Sequence, residues 1–266
     1  ALCLDGTGLG DDGTVWGGEL LFMELEQAQW RRVGRLAPFA LPGGDAAVRQ
    51  PWRIALALRS LCEQAEIPLP SLRTPWLPEQ AQAAAAVPDM RRRFEAVAAE
   101  LGLCLDTSYE GQAAIRLEDA ANRANEHVRT AMEGKARDKD MAALVWPVGI
   151  ALHHDLLEMD SAGLFAHVAQ AQAQGMDATE AAARFHLSLA RALAGMAGRA
   201  ARKLGLNCVG LTGGVLQNAT LARLLPLALA EQGLTALTHH ELPPGDGGLS
   251  LGQAVWGRRM LARAKL

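Results

Sequence analysis

The chain has 266 residues and a mass of 28.3 kDa; 50% of the residues are hydrophobic, 21% are charged, and the formal charge is −3 at pH 7. Such a chain buries a large core as one domain or two coupled lobes, and its composition excludes a disordered tail, a collagen-like repeat and a coiled-coil rod. The slight acidity gives no basic footprint for a nucleic-acid backbone, and no run of about 18 apolar residues marks a membrane span, so neither nucleic acid nor a membrane is an expected partner.

Ala1-Leu2-Cys3-Leu4 is already an apolar, strand-like run. Domains rarely begin in mid-strand, because first residues fray, so the chain is expected to be the C-terminal part of a longer polypeptide. Asp5-Gly6-Thr7-Gly8 reads as a tight turn, Asp12-Gly13 as a second, and the opening as a β-hairpin. Gly17-Gly18-Glu19 interrupts before Leu20 to Met23 resumes as strand, and a third strand is expected around Arg32 to Leu36. Asp45 is a good N-cap for a helix carrying Ile54, Leu56, Leu58 and Leu61, whose start Pro51 delays. The prolines between Glu66 and Pro78 make that stretch a loop. Helical spacing then predicts helices over Met90 to Leu101, from Gln112 onward with Ile115, Leu117 and Ala121, and over Ala178 to Leu204. The middle of the chain, about residues 45–205, is therefore helical. The last stretch alternates strand (Cys208 to Leu211), glycine turn, helix from Asn218, strand (Leu234 to Leu237), loop and a final helix around Ala254 to Leu261, which is α/β grammar. Cys3, Cys62, Cys104 and Cys208 are scattered, without a C-x-x-C pair, and point to a reducing, cytoplasmic setting.

Three glycine-rich turns fall where strands meet loops: Asp5-Gly6-Thr7-Gly8, Thr212-Gly213-Gly214 and Asp246-Gly247-Gly248. Glycine lets backbone N–H groups approach an anion without a Cβ in the way, and a helix opening after such a loop adds its positive end. Asp5 or Asp246 can hold a cation that phosphates also bind. Together the three loops indicate a phosphate or metal cleft. None matches the P-loop or dinucleotide-binding spacing. Other groups read as structural: Arg91-Arg92-Arg93 as a solvated helix face, His153-His154 and His239-His240 as surface or strand-end residues, His186 as a packed helix residue, and Trp16, Trp52 and Trp146 as core aromatics.

Leu4-Asp5-Gly6-Thr7-Gly8, Trp16-Gly17-Gly18-Glu19, Leu41-Pro42-Gly43-Gly44-Asp45, Tyr109-Glu110-Gly111-Gln112, Gly213-Gly214-Val215-Leu216-Gln217-Asn218 and Pro243-Pro244-Gly245-Asp246-Gly247-Gly248 resemble, in combination and across nearly the whole chain, the carbamoyl-transfer domain of HypF-type proteins. The resemblance implies a TsaD-like, actin/Hsp70-like (ASKHA) α/β nucleotide-binding fold over residues 1–266, lacking part of its N-terminal lobe. It implies transfer of a carbamoyl group from ATP-derived carbamoyl-adenylate to the C-terminal cysteine thiolate of a HypE-type partner, in the maturation of nickel–iron hydrogenases. Asp5 and Asp246 would be catalytic and would ligate Zn or Fe. Gly6, Thr7, Gly8, Gly111, Gly213, Gly214, Asn218 and Gly247 would bind the nucleotide, and the amides of Gly213, Gly214, Gly247 and Gly248 would meet developing charge. Two departures stand out. The family's H-x-x-x-H metal motif upstream of the first strand is absent, and Val87 to Glu95 replaces a T-S-S-x-G-R-L-F-D loop, with Asp89 left to cap the helix. The glycine loops by themselves also fit an ASKHA-fold ATPase or small-molecule kinase, and the departures fit a non-catalytic partner-binding module.

Overall fold

The computed structural model describes residues 1–71, 86–87 and 90–264. It opens with a meander of β1 (Leu2–Leu9), β2 (Val15–Glu24) and β3 (Gln29–Leu36), each antiparallel to the next. Leu2 and Leu4 are fully buried and alternate with partly exposed Cys3 and Asp5, the period of a strand with one face on the core. The turn expected at Asp5 to Gly8 is instead an irregularity within β1, where the register with β2 shifts between Leu4 and Gly8. The chain reverses at Asp11-Asp12-Gly13, closed by hydrogen bonds from Gly10 to Thr14 (2.8 Å) and from Gly13 to Gly10 (3.0 Å). Gly17 and Gly18 stay inside β2, where Gly18 pairs with Leu4.

β4 (Phe39–Ala40) leads into α1 (Asp45–Arg49) and α2 (Pro51–Gln64). The single helix expected here is thus two. Gly44, not Asp45, occupies the cap position, and Pro51 starts the second helix at its first turn, where its missing N–H is harmless. β5 (Ala86–Val87) pairs with β4. Most of the proline-rich loop, together with Pro88 and Asp89, lies outside the described residues. Next come α3 (Met90–Glu100), α4 (Gln112–Asn122), α5 (Glu126–Met132), α6 (Asp138–Leu144), the hairpin β6 (Ile150–His153) and β7 (Leu156–Met159), α7 (Ser161–Ala173) and α8 (Ala178–Leu204). α8 has the expected bounds because its ends are written in the sequence: Asp177 accepts the Thr179 N–H (2.8 Å), and Gly205 closes it at φ 66°. β8 (Cys208–Thr212), α9 (Ala219–Glu231), β9 (Thr235–Leu237) and α10 (Leu249–Arg263) complete the chain.

The main sheet runs β6-β7-β3-β2-β1-β8-β9, with β1 parallel to β8 and β8 to β9. The N-terminal strand is therefore central, and the last strands join it only through long-range pairing. α3 packs on β1, α8 on β3 and β7, and α9 on β9. Phe94 of α3 and Phe185 of α8 meet edge to face at 5.3 Å in the core between them.

Two expectations fail here for one reason. α3 is enclosed by α2, α4, α7 and β1, so Arg92 and Arg93 are buried rather than solvated. Arg92 pairs with Glu95 at 2.6 Å, while Arg93 donates to the Ala37 carbonyl and stacks over Phe39 at 5.1 Å. Trp52 and Trp146 are partly buried and pack against the core as expected, Trp146 stacking on His167 at 6.0 Å, but Trp16 is not among the residues packed there and instead carries Arg32 over its ring at 4.2 Å. Local composition reports neither outcome, because both depend on which distant element lies opposite.

Candidate functional site

A cavity of about 510 Å³ opens where β1, the turn after β8 and the loop before α10 meet α3 and α4. Behind its lining is a backbone junction. Gly213 has φ 106°, and a Cβ there would fall 2.1 Å from the Leu4 carbonyl oxygen. Its N–H donates to the Pro244 carbonyl at 2.7 Å, which the Thr212 hydroxyl also reaches at 3.1 Å. One glycine thus ties the first strand, the post-β8 turn and the Pro243–Gly248 loop together. Gly214 follows so closely on Asp5 that an added Cβ would stand 3.1 Å from Asp5 Oδ1, and one on Gly245 would stand 3.5 Å from Gly214 Cα.

Asp5 Oδ1 accepts the Gly6 N–H at 2.8 Å and lies 3.7 Å from Arg91 Nη2. The other end of the Arg91 guanidinium pairs with Glu110, next to Gly111, which takes φ 81° to start α4. Across the cavity, Asn218 caps α9: its Oδ1 accepts the Leu221 N–H at 2.8 Å. Its Nδ2 then faces His186 Nε2 at 3.3 Å. His186 is fully buried on α8, and its Nδ1 is 2.7 Å from the Ala182 carbonyl, so Nδ1 carries the proton and Nε2 is the acceptor. Burial pushes its pKa down to about 4, against the smaller upward effect of the Ala182 bond, and keeps the ring neutral. Glu118 Oε1 accepts the Thr220 N–H at 2.7 Å.

Asn218→Asp is therefore expected to keep the α9 cap but to turn a second acceptor toward His186 Nε2. The His186 pKa should rise toward its ordinary 6.5, a change that an NMR titration of the ring reads directly. An unchanged titration would show that Asn218 does not orient the imidazole.

Residues 1–253 match the family described as "Carbamoyltransferase, Kae1-like Domain, second subdomain". The chain belongs to the HypF carbamoyltransferase family. It is 37% identical to carbamoyltransferase HypF2 of Cupriavidus necator, over 96% of this chain and 33% of that one. It is 38% identical to carbamoyltransferase HypF of Rhodobacter capsulatus, over 100% of this chain and 32% of the relative. A crystal structure of full-length HypF in its phosphate- and nucleotide-bound form matches with a TM-score of 0.77 and 27% identity, over 98% of this chain and 33% of that one. The chain thus spans about a third of the length of these HypF proteins. The α/β, ASKHA-type fold expected from the motifs is the fold observed.

Of the site residues expected from the HypF motifs, Asp5, Gly111, Gly214, Asn218 and Asp246 line this one cavity, although they come from distant parts of the chain. Gly6, Thr7, Gly8, Gly213 and Gly247 are not on its wall. Gly6 backs onto the Arg91 guanidinium, Gly213 onto Leu4 and Gly247 onto Pro243, while Thr7 and Gly8 lie on the exposed end of β1. The amides of Gly213 and Gly248 are spent on Pro244 and Gly245. The positive end of α9 is likewise taken up, by Asn218 and Glu118. Arg91, Glu110, Glu118 and the contact of His186 with Asn218 escape the sequence reading. Glu110 adjoins a recognised glycine, but Glu118 meets its partner 102 residues away, with no local signal.

Asp5 and Asp246 share the cavity, but among the described residues no group of three or more His, Cys, Asp or Glu side chains is arranged to hold a metal. Two carboxylates, one with a guanidinium beside it, do not make the four-ligand set that Zn or Fe takes. The 266-residue chain is expected to retain no stoichiometric zinc after desalting, as read by elemental analysis. One bound zinc per chain would overturn this.

Proposed function

We propose that this chain forms the part of a HypF carbamoyltransferase in which a carbamoyl group passes from carbamoyl-adenylate to the C-terminal cysteine thiol of a HypE-type partner, toward the cyanide ligands of nickel–iron hydrogenases. The observation that carries the reading is the meeting of Asp5, Gly111, Gly214, Asn218 and Asp246 on one cavity of about 510 Å³. That volume is in the range that encloses a small-molecule ligand. Support comes from a solved relative that holds phosphate and nucleotide.

In this reading the partner's thiolate attacks the carbamoyl carbon, the carbon–oxygen bond to the phosphate breaks, and AMP leaves with the electron pair. The chain supplies position rather than a nucleophile. Burial raises the thiols of Cys3 and Cys62 to about 11 and about 12, so both stay protonated. Gly214 brings backbone against the Asp5 side of the cavity, and Asn218 is held in one orientation by His186 and the α9 cap. A flexible tail suits a cavity that is open to solvent, and its ordering keeps affinity modest. The four free cysteines fit a reducing cytoplasm, and among the described residues no helix is long and apolar enough to cross a membrane.

The test supplies carbamoyl-adenylate and a partner ending in cysteine, and follows the terminal thiol by mass spectrometry. A thiocarbamate on that cysteine, lost when the tail is deleted, is the expected result. Phosphate transfer to a small-molecule hydroxyl, or no reaction with the full-length protein, would overturn it.

A further inference from the structure

The charge around the cavity is lopsided. Among its described lining residues, Asp5, Glu110, Glu118 and Asp246 are carboxylates and Arg91 is the one cation. An adenylate phosphate entering this space meets repulsion on several sides. The start of α9, one positive feature nearby, already has its Thr220 and Leu221 amides bonded to Glu118 and Asn218. Among the described lining side chains the guanidinium is the positive charge that can meet a phosphate. It is 28% exposed, lies against Gly6, where an added Cβ would come within 3.3 Å of Cζ, and reaches toward Asp5 at 3.7 Å. Its partner Glu110 is 73% exposed. Ion pairs of that kind exchange readily, because water competes for both groups.

We propose that Arg91 is the phosphate-recognising residue of this cavity, and that Glu110 is its resting partner while the cavity is empty. The proposal rests on the reading of the cavity as an adenylate site. When ligand enters, the planar fork of Arg91 turns from Glu110 to two phosphate oxygens, which it matches in geometry as well as in charge. Asp5, held by the Gly6 N–H, keeps the guanidinium near the mouth of the Gly213–Gly214 turn. Glu110 therefore competes with the ligand for Arg91, and the two residues have opposite effects on affinity.

The experiment is calorimetry on the whole chain, with AMP and adenosine as paired probes. Wild-type protein binds AMP more tightly than adenosine, and the gap narrows as salt is raised. Arg91→Ala closes that gap by about tenfold or more, the size of a charge-assisted hydrogen bond, and leaves adenosine affinity where it was. Arg91→Lys restores part of it. Glu110→Gln widens the gap, because the competing carboxylate is gone. An AMP-to-adenosine ratio unchanged in Arg91→Ala and in Glu110→Gln overturns the role of Arg91 and leaves the adenylate site standing. Equal weakening of both probes in Arg91→Ala assigns the residue to packing and also overturns it. Wild-type protein that binds neither probe overturns the adenylate reading itself, and this proposal with it.

Discussion

Gly213→Ala is expected to destabilise the fold severely. The new Cβ would lie 2.1 Å from the oxygen, 2.5 Å from the carbon and 2.8 Å from the nitrogen of Leu4, all backbone atoms of the central strand. No side-chain rotation relieves that overlap. β1 must move away from the end of β8, or Gly213 must give up its bond to Pro244. Backbone strain at φ 106° adds roughly 1–3 kcal/mol for a residue with a side chain. With the overlap, the loss should exceed about 4 kcal/mol, a large part of the roughly 5–15 kcal/mol that holds such a domain together. Gly111→Ala is the matched control. It too has positive φ, 81°, but an added Cβ meets nothing within 4 Å, so only the left-handed penalty of about 1–2 kcal/mol applies. Soluble yield and thermal midpoints should separate the two, with Gly213→Ala melting at least about 10 °C below wild type. Equal melting of the two variants would sink the junction argument.

The second large effect is a pair of opposed pH dependences. His186 titrates near 4 in the folded chain against an ordinary 6.5, because burial disfavours its charge. As pH falls from 6.5 to 4, the unfolded chain takes up a proton that the folded chain refuses, so stability falls. Glu19 behaves in the reverse sense. It is 3% exposed, its Oε1 lacks a hydrogen-bond partner, and burial raises its pKa to about 7 from 4.5. As pH falls from 7 to 4.5, the folded chain gains a proton first, so stability rises. The two contributions have opposite signs between pH 6.5 and 4.5 and offset each other in the wild type. Glu19→Gln should expose the falling limb and His186→Gln the rising one, each by about 2 kcal/mol between pH 6.5 and pH 5 in denaturant titrations. If both variants keep the wild-type pH profile, neither group is desolvated as the structure places it.

What the sequence disclosed follows from where its signals are stored. α8 was legible because its apolar residues recur with helical period. α7 was not, because Ser161 to Ala173 is buried on nearly every side and offers no polar face to mark a period. Glycine at Gly213 and Gly214 pointed to the cavity without saying which atoms the missing Cβ atoms made room for. The buried state of Arg93, the use of Glu118 as a cap on another helix and the pairing of His186 with Asn218 all depend on contacts between segments far apart in sequence. Hydropathy and spacing carry no trace of them.

The central place of β1 also sets an order of assembly. Its parallel partners are Leu211 and Thr212, opposite Leu2 and Cys3. During synthesis the first three strands can form their meander early, yet the edge of β1 at Leu2 and Cys3 stays unpaired until more than two hundred further residues have emerged. An open apolar edge held that long is where nascent chains pair with one another instead. Pairing across so wide a sequence gap is also slow. The late event that closes the edge is the one that brings Gly214 up to Asp5, so the cavity cannot form before it. Partly folded chains would therefore lack the binding site altogether rather than possess a weakened version of it.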